Sequence, residues 1–124
     1  MRSSRDTSIL IVDDDDTCRD VTRNILVAAG FKVACARDFY EAIDLVEKDG
    51  KIDIAIVDVV MPRGTPHGLS FARMAKRRRP SLKVIFMSAR VDPTGLALYD
   101  KNEAFLSKPF APRNLLDAIA RSAA

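Results

Sequence analysis

The 124 residues of this chain suffice for one domain with a hydrophobic core, and 48% hydrophobic with 30% charged residues is an ordinary globular composition. That composition excludes a disordered chain, and the short apolar runs exclude a membrane span or a signal peptide. The net charge of +3 is mild, and two cysteines are too few for a disulfide framework. We therefore expect a cytoplasmic protein with no membrane partner.

The first predicted strand, Ser8 to Val12, is followed at once by four aspartates, Asp13 to Asp16. Adjacent carboxylates repel one another, which is costly unless a cation collects there or some of them cap a helix. We expect both, with Asp15 or Asp16 as the N-cap and Gly30 just past the helix end. The helical pattern runs from Thr17, with its apolar stripe at Cys18, Val21, Ile25 and Ala28.

The second predicted strand, Phe31 to Ala36, precedes a capping box in which Glu41 follows Asp38 by three residues. This box opens a second helix that ends before Gly50. Its inward positions are predicted to be Phe39, Ala42, Ile43 and Val46.

The third predicted strand, Ile52 to Asp58, contains an apolar β-branched run of the kind that is buried on both faces in a parallel sheet. A buried strand tolerates no free charge, so Asp58 must lie at the carboxyl end, where the strand emerges. The loop that follows, Met61 to Gly68, holds two prolines and two glycines, which predicts irregular structure with a solvated His67.

A third helix is predicted from Leu69 to Arg79, packed through Leu69, Ala72 and Ala75 with Phe71 and Met74 flanking. Four consecutive bases, from Lys76 to Arg79, end it just before Pro80. Such a cluster can contact nucleic acid, but cations at a helix end also complement the helix dipole. We interpret the cluster as a solvated helix terminus and expect no nucleic-acid partner.

The remaining chain predicts a fourth strand from Lys83 to Ser88 and a fifth from Ala104 to Ser107, each followed by a helix. The fourth helix, Val91 to Asn102, has a pattern weakened by a proline and a glycine near its start. Pro112 suits the first turn of the last helix, whose apolar stripe is Leu115, Leu116 and Ile119.

Five strands alternating with five helices predict an α/β domain with a parallel sheet and helices on both faces. The size fits a flavodoxin-like (βα)5 fold with strand order 2-1-3-4-5. Because the carboxyl ends of parallel strands share one edge, one cleft should collect Asp13, Asp14, Asp58, Ser88 and Lys108.

The predicted cleft has the groups needed to handle a phosphoryl group. Clustered carboxylates bind a hard cation such as Mg²⁺, which fills its shell with a few carboxylates, carbonyl oxygens, water and phosphate. Asp58 is placed to act as a nucleophile toward phosphorus, while Mg²⁺, Lys108 and Ser88 cover the phosphoryl oxygens.

Four motifs in strand-end positions together resemble the receiver domain of two-component response regulators, over Ser8 to Ala120. They are Val12-Asp13-Asp14, Asp58-x-x-Met61-Pro62, Ser88, and Lys108-Pro109-Phe110. The resemblance implies one receiver domain over residues 1–124 without an output domain. The chain is then a stand-alone regulator or an excised piece of a longer protein, and Met1 with the compact ending favours the stand-alone form.

The resemblance also implies roles for individual residues. The metal set comprises Asp14 as a direct Mg²⁺ ligand, Asp13 through water, Asp58, and the backbone carbonyl of Val60. Asp58 is the phosphoacceptor. Around the phosphoryl group, the set comprises Lys108 as its ionic partner, a cis bond before Pro109, Ser88 as the switch hydroxyl, and Phe105 as the aromatic that moves behind the fourth strand.

The implied function is a switch rather than an enzyme, phosphorylated by a histidine kinase or a histidine phosphotransfer protein. Its fourth helix, fifth strand and last helix would then contact an unknown downstream protein, with the chain a monomer or a weak phosphorylation-dependent dimer. Nine residues separate Asp58 from Gly68, about two more than the family pattern, so the Arg63–His67 loop either gates the site or is a neutral insertion. The apolar Val60 cannot orient water, which predicts slow autodephosphorylation.

Three alternatives remain for this fold. A flavodoxin-like cofactor module needs a phosphate-binding loop after the first strand, and Asp13 to Asp16 would repel the phosphate. A dehalogenase-type phosphatase should carry Asp-x-Asp, which Asp58-Val59-Val60 does not match. A receiver-like platform that binds proteins without being phosphorylated is disfavoured by the acidic set together with Ser88 and Lys108.

Overall fold

The computed structural model describes residues 6–48, 50–59, 67–88 and 104–123. The elements, with helices numbered among these residues only, are β1 (Ser8–Val12), α1 (Asp16–Ala28), β2 (Lys32–Ala36), α2 (Phe39–Lys48), β3 (Ile52–Asp58), α3 (His67–Arg78), β4 (Lys83–Ser88), β5 (Ala104–Ser107) and α4 (Pro112–Ala123). The predicted helix from Val91 to Asn102 and the loop from Met61 to Pro66 lie outside the described residues. In the described part, no helix has the length and apolar content to cross a membrane.

The five strands form one parallel sheet in the order β2-β1-β3-β4-β5, as predicted. β1 and β3 are neighbours, with Val12 in register with Val57. Since both strands point the same way, the residues after Val12 emerge beside Asp58. The sheet order therefore places the acidic run next to the end of the central strand.

Alternate residues of the sheet face two separate cores, because successive side chains of a strand point to opposite faces. In β3, Ala55 and Val57 pack with residues of α2 and α3, whereas Ile54 and Ile56 pack with residues of α1 and α4. Both faces of β3 are thus covered, as the uninterrupted apolar sequence predicted. Phe71 of α3 is 1% exposed and belongs to the first core, where the sequence placed it only at the flank.

Capping side chains start the first two helices where the sequence indicated. Asp15 is the N-cap of α1, its Oδ1 accepting a hydrogen bond of 3.1 Å from the Cys18 N–H. Asp38 accepts one of 2.8 Å from the Glu41 N–H. Beyond the end of α1, Gly30 has a φ of 97°, a conformation that glycine adopts without strain.

Two local predictions were wrong. In α1 the buried residues are Thr22 and Leu26, while Val21 of the apolar stripe is 52% exposed. Thr22 can be buried because its hydroxyl donates a 2.8 Å hydrogen bond to the Cys18 carbonyl of its own helix. In α3 the first turn begins at His67, two residues before the predicted start. The His67 side chain lies outside the described residues, so its solvation stays a prediction.

Candidate functional site

The carboxyl edge of the sheet brings polar residues from four strands together. Backbone hydrogen bonds continue the sheet pairing beyond the strand ends: the Asp13 N–H donates to the Ala36 carbonyl at 3.1 Å, and the Lys108 N–H donates to the Ser88 carbonyl at 2.8 Å. Although they lie at the edge of the sheet, Asp13 and Asp58 are buried, with exposed fractions of 0% and 8%. Such carboxylates need cationic or hydrogen-bonding partners.

Lys108 is a cationic partner of both buried carboxylates. Its Nζ lies 2.9 Å from Asp13 Oδ2 and 2.9 Å from Asp58 Oδ2. Burial by itself lowers the pKa of Lys108, but the hydrogen bonds and charges of Asp13 and Asp58 outweigh it and raise the pKa above its usual value. The amine is therefore protonated at neutral pH and holds the two carboxylates side by side.

Asp14 completes an acidic cluster at the mouth of the site. Asp13, Asp14 and Asp58 each offer a carboxylate oxygen, and these oxygens lie within 4.8 Å of one another. Asp14 is exposed, so the cluster opens to solvent. Hard oxygen donors around a solvent-accessible point suit Mg²⁺, which keeps several waters and takes few carboxylates. These three carboxylates thus fit a divalent cation. Val60, whose backbone carbonyl was predicted as a further ligand, lies outside the described residues.

The loop that carries the acidic run is fixed by the side chain of Asp13 and by that of Arg19 in α1. The Asp15 N–H donates to Asp13 Oδ1 at 3.0 Å, and Arg19 Nη1 donates to the Asp13 carbonyl at 2.9 Å. The second guanidinium nitrogen of Arg19 pairs with Asp16. Arg19 was not identified from the sequence: its three-residue spacing from Asp16 indicates the ion pair, but no local pattern indicates the contact with Asp13.

Ser88 ends β4 beside Asp58 and is 2% exposed. It follows Phe86 by two residues and therefore points to the same face of the sheet. Phe105 of β5 packs on this face, with its ring centroid 6.5 Å from that of Phe86. Behind the site, one face of the sheet thus carries a row of three side chains, the hydroxyl of Ser88 followed by the rings of Phe86 and Phe105. The Lys108–Pro109 peptide bond is cis, as predicted.

An apolar groove of about 320 Å³ borders the site on the side of α1. Its lining residues are Cys18, Val21, Thr22, Lys108, Pro109 and Phe110. Burial raises the pKa of the Cys18 thiol, and the adjacent Asp13 carboxylate raises it further. The thiol is therefore uncharged at neutral pH and suits the apolar lining of the groove. The groove was not predicted from the sequence, because the helical pattern placed Val21 in the apolar stripe of α1.

The amino-acid sequence matches the family described as "Response regulator receiver domain" over residues 9–120. It is 31% identical over 112 residues to response regulator SaeR of Staphylococcus aureus, covering 89% of this chain and 47% of SaeR. The chain therefore spans about half the length of the curated relatives it matches.

Solved structures show the same similarity. A CheY-like response regulator receiver domain protein from Methanospirillum hungatei JF-1 is 29% identical, with a TM-score of 0.81 over 93% of this chain and 91% of that one. Chemotaxis protein CheY4 of Vibrio cholerae is 28% identical, with a TM-score of 0.82 over 94% of this chain and 98% of its own. These neighbours share the whole α/β layout described above.

Proposed function

Because this chain belongs to the response regulator receiver domain family, a family of signalling switches rather than conventional enzymes, we propose that it accepts a phosphoryl group on Asp58. The observation that carries the proposal is the Lys108 amine, 2.9 Å from both Asp58 and Asp13 at the carboxyl edge of the sheet. The amine keeps Asp58 oriented and supplies positive charge where a phosphoryl oxygen would develop negative charge.

The proposed transfer is a single displacement at phosphorus. A carboxylate oxygen of Asp58 forms the new bond to phosphorus, and the bond from phosphorus to the donor nitrogen or oxygen breaks, with its electron pair leaving on the donor. Asp13, Asp14 and Asp58 would hold a Mg²⁺ ion, which supplies charge to the phosphoryl oxygens when bound. The donor we propose is a histidine kinase or a histidine phosphotransfer protein, and the target is a downstream protein.

The test is labelling of the purified protein by radioactive acetyl phosphate with and without Mg²⁺. We expect Mg²⁺-dependent incorporation of one phosphoryl group that hydroxylamine removes, as it does from acyl phosphates. No incorporation, with the fold intact by circular dichroism, would instead support the alternative of a protein-binding platform.

We propose that the apolar groove beside Lys108 receives the protein phosphodonor, because the groove is lined by Lys108, whose amine lies 2.9 Å from Asp58. Val21 offers an exposed apolar side chain there, at 52% exposure. Val21→Glu should slow transfer from a histidine phosphodonor protein by about fivefold or more, since a buried carboxylate costs free energy at an apolar interface. Labelling by acetyl phosphate should not change.

The matched control is Val27→Glu. Val27 lies on the same helix and is 46% exposed, but it does not line the groove. The Val27→Glu variant should therefore accept the phosphoryl group from the protein donor at the wild-type rate. Equal slowing by the two substitutions would point to general charge repulsion and would contradict docking in the groove.

The proposed switch runs along the row from Ser88 to Phe105. Phosphorylation adds charge at Asp58, the Ser88 hydroxyl moves to donate to a phosphoryl oxygen, and Phe105 shifts into the space behind β4. Support comes from the contact of the Phe105 ring with Phe86 of β4, whose centroids are 6.5 Å apart. The ring NMR signals of Phe105 should shift when beryllofluoride and Mg²⁺ are added. Signals that stay unchanged would contradict this movement.

We further propose that the phosphorylated protein loses its phosphoryl group slowly. Val60, the second residue after Asp58, has no polar atom on its side chain with which to orient an attacking water. Val60→Asn should shorten the half-life of the label severalfold, as measured by phosphate release after removal of the donor. Rapid release by the wild-type protein, with no response to the substitution, would be the opposite result.

A further inference from the structure

Arg19 spans the loop that carries the acidic run. Its Nη1 donates to the Asp13 carbonyl at 2.9 Å, and its Nη2 pairs with Asp16 at the start of α1. The Arg19 side chain is only 12% exposed, whereas that of Asp16 is 79% exposed. Because Asp16 is so exposed, its ion pair with Arg19 contributes little to stability. The contact of Arg19 with the Asp13 backbone is therefore the more important of the two.

The Asp13 backbone is therefore held between the sheet and α1. Its N–H donates to the Ala36 carbonyl at 3.1 Å, and its carbonyl accepts from Arg19. The Asp13 carboxylate is fixed as well, by the Asp15 N–H at 3.0 Å and by Lys108 at 2.9 Å. Because Asp14 is the next residue, the same contacts set the direction in which its exposed carboxylate leaves the chain.

We propose that Arg19 is a positioning residue for divalent cation binding, acting through the backbone of Asp13 and Asp14. This inference rests on the proposed function. Arg19 contributes no ligand atom; it holds the two carboxylate-bearing residues at the spacing that brings their oxygens within 4.8 Å of Asp58. Groups that orient metal ligands typically change metal affinity by about 10- to 100-fold when removed.

Simple electrostatics predicts the opposite sign. Arg19 carries a positive charge close to the acidic cluster, so removing that charge alone would strengthen attraction for Mg²⁺. A positioning role predicts weaker Mg²⁺ binding by the variant. Without Arg19, the Asp13–Asp16 segment would be more mobile and would have to be ordered when the ion binds. The direction of the change in Mg²⁺ affinity therefore separates the two roles.

The experiment is a calorimetric titration of the unphosphorylated protein with Mg²⁺, with no phosphodonor present. Arg19→Ala should bind Mg²⁺ about tenfold more weakly than the wild-type protein. The double substitution Arg19→Ala with Asp16→Ala leaves the net charge unchanged and should show the same weakening. Arg23→Ala, an exposed arginine one turn further along α1, should bind like the wild-type protein.

Arg19→Lys tests geometry against charge, because one ammonium group keeps the charge but cannot span the Asp13 carbonyl and Asp16 as the two guanidinium nitrogens do. We expect it to bind Mg²⁺ nearly as weakly as Arg19→Ala. Full recovery of affinity with lysine, or tighter binding by Arg19→Ala, would overturn the inference.

Labelling by acetyl phosphate distinguishes failure of this inference from failure of the proposed function. Arg19→Ala should need more Mg²⁺ for half-maximal labelling and reach close to the wild-type rate at saturating Mg²⁺. An identical Mg²⁺ dependence in the two proteins would overturn the role of Arg19 alone. If the wild-type protein binds Mg²⁺ but takes no label, the proposed function fails while the calorimetric comparison still stands.

Discussion

Asp58→Asn is expected to abolish incorporation of the phosphoryl group. The amide that replaces the carboxylate has no anionic oxygen to attack phosphorus, and neither of the two carboxylates clustered with it in the described part of the chain is placed to replace it. Asp13 is fully buried and held by Lys108 and the Asp15 N–H, while Asp14 projects into solvent. We expect at least about a 10³-fold drop in labelling, as for loss of a nucleophile in covalent catalysis.

The measurement is Mg²⁺-dependent labelling followed by intact-mass analysis. Asp53→Asn is the matched control, because Asp53 lies near the opposite end of the same strand and accepts the Ser8 N–H at 2.9 Å, which an amide oxygen can also do. This control should be labelled like the wild-type protein. Label that survives in Asp58→Asn would place the phosphoacceptor elsewhere.

Lys108→Met is expected to destabilise the fold by about 3 kcal/mol at neutral pH, because it removes an ammonium group that pairs with two buried carboxylates, Asp13 and Asp58. Asp13 is 0% exposed and cannot recover hydration without local opening. Mg²⁺ should restore part of the loss, since a divalent cation near the three carboxylates replaces the missing charge. The increase in unfolding free energy on adding Mg²⁺ should therefore be larger for the variant than for the wild-type protein.

Urea denaturation at several Mg²⁺ concentrations measures both effects. Lys48→Met is the control, since Lys48 pairs with Asp44 in an exposed i,i+4 arrangement and its loss should hardly change stability. A Lys108→Met protein as stable as the wild type without Mg²⁺ would contradict the proposed role of the amine in holding the carboxylates together.

The pH dependence of this effect has a defined sign. The folded-state pKa of Lys108 lies above its ordinary value of 10.5, because Asp13 and Asp58 favour the charged amine over the opposing effect of burial. Its contribution is therefore complete below about pH 10 and is lost as the pH rises through the folded-state pKa. The stability gap between the wild-type protein and Lys108→Met should thus stay constant between about pH 7 and 10.

Much of the local structure was predictable because its causes are local. The N-cap of α1, the turn glycine Gly30 and the apolar run of β3 each act within a few residues, and each prediction was confirmed, with Asp15 as the N-cap of the two candidates Asp15 and Asp16. The predicted stripe of α1 was wrong because a helical sequence pattern indicates an apolar face but not how the helix is rotated against the sheet. Thr22 is buried there through a hydrogen bond that hydropathy does not register.

The five strands, their order and the sheet edge that gathers the predicted site residues could all be predicted from the amino-acid sequence; those residues are Asp13, Asp14, Asp58, Ser88 and Lys108. Hydrophobic period and turn residues are properties of short segments, and parallel topology then follows from the alternation of strands and helices. Which side-chain atoms come into contact became known from the folded structure alone. Lys108 is 95 residues from Asp13 in the chain, and neither this contact nor the exposure of Val21 has a local signal. The physical reason is that side-chain contacts across a sheet depend on strand register and helix rotation, which the packing of the whole core determines.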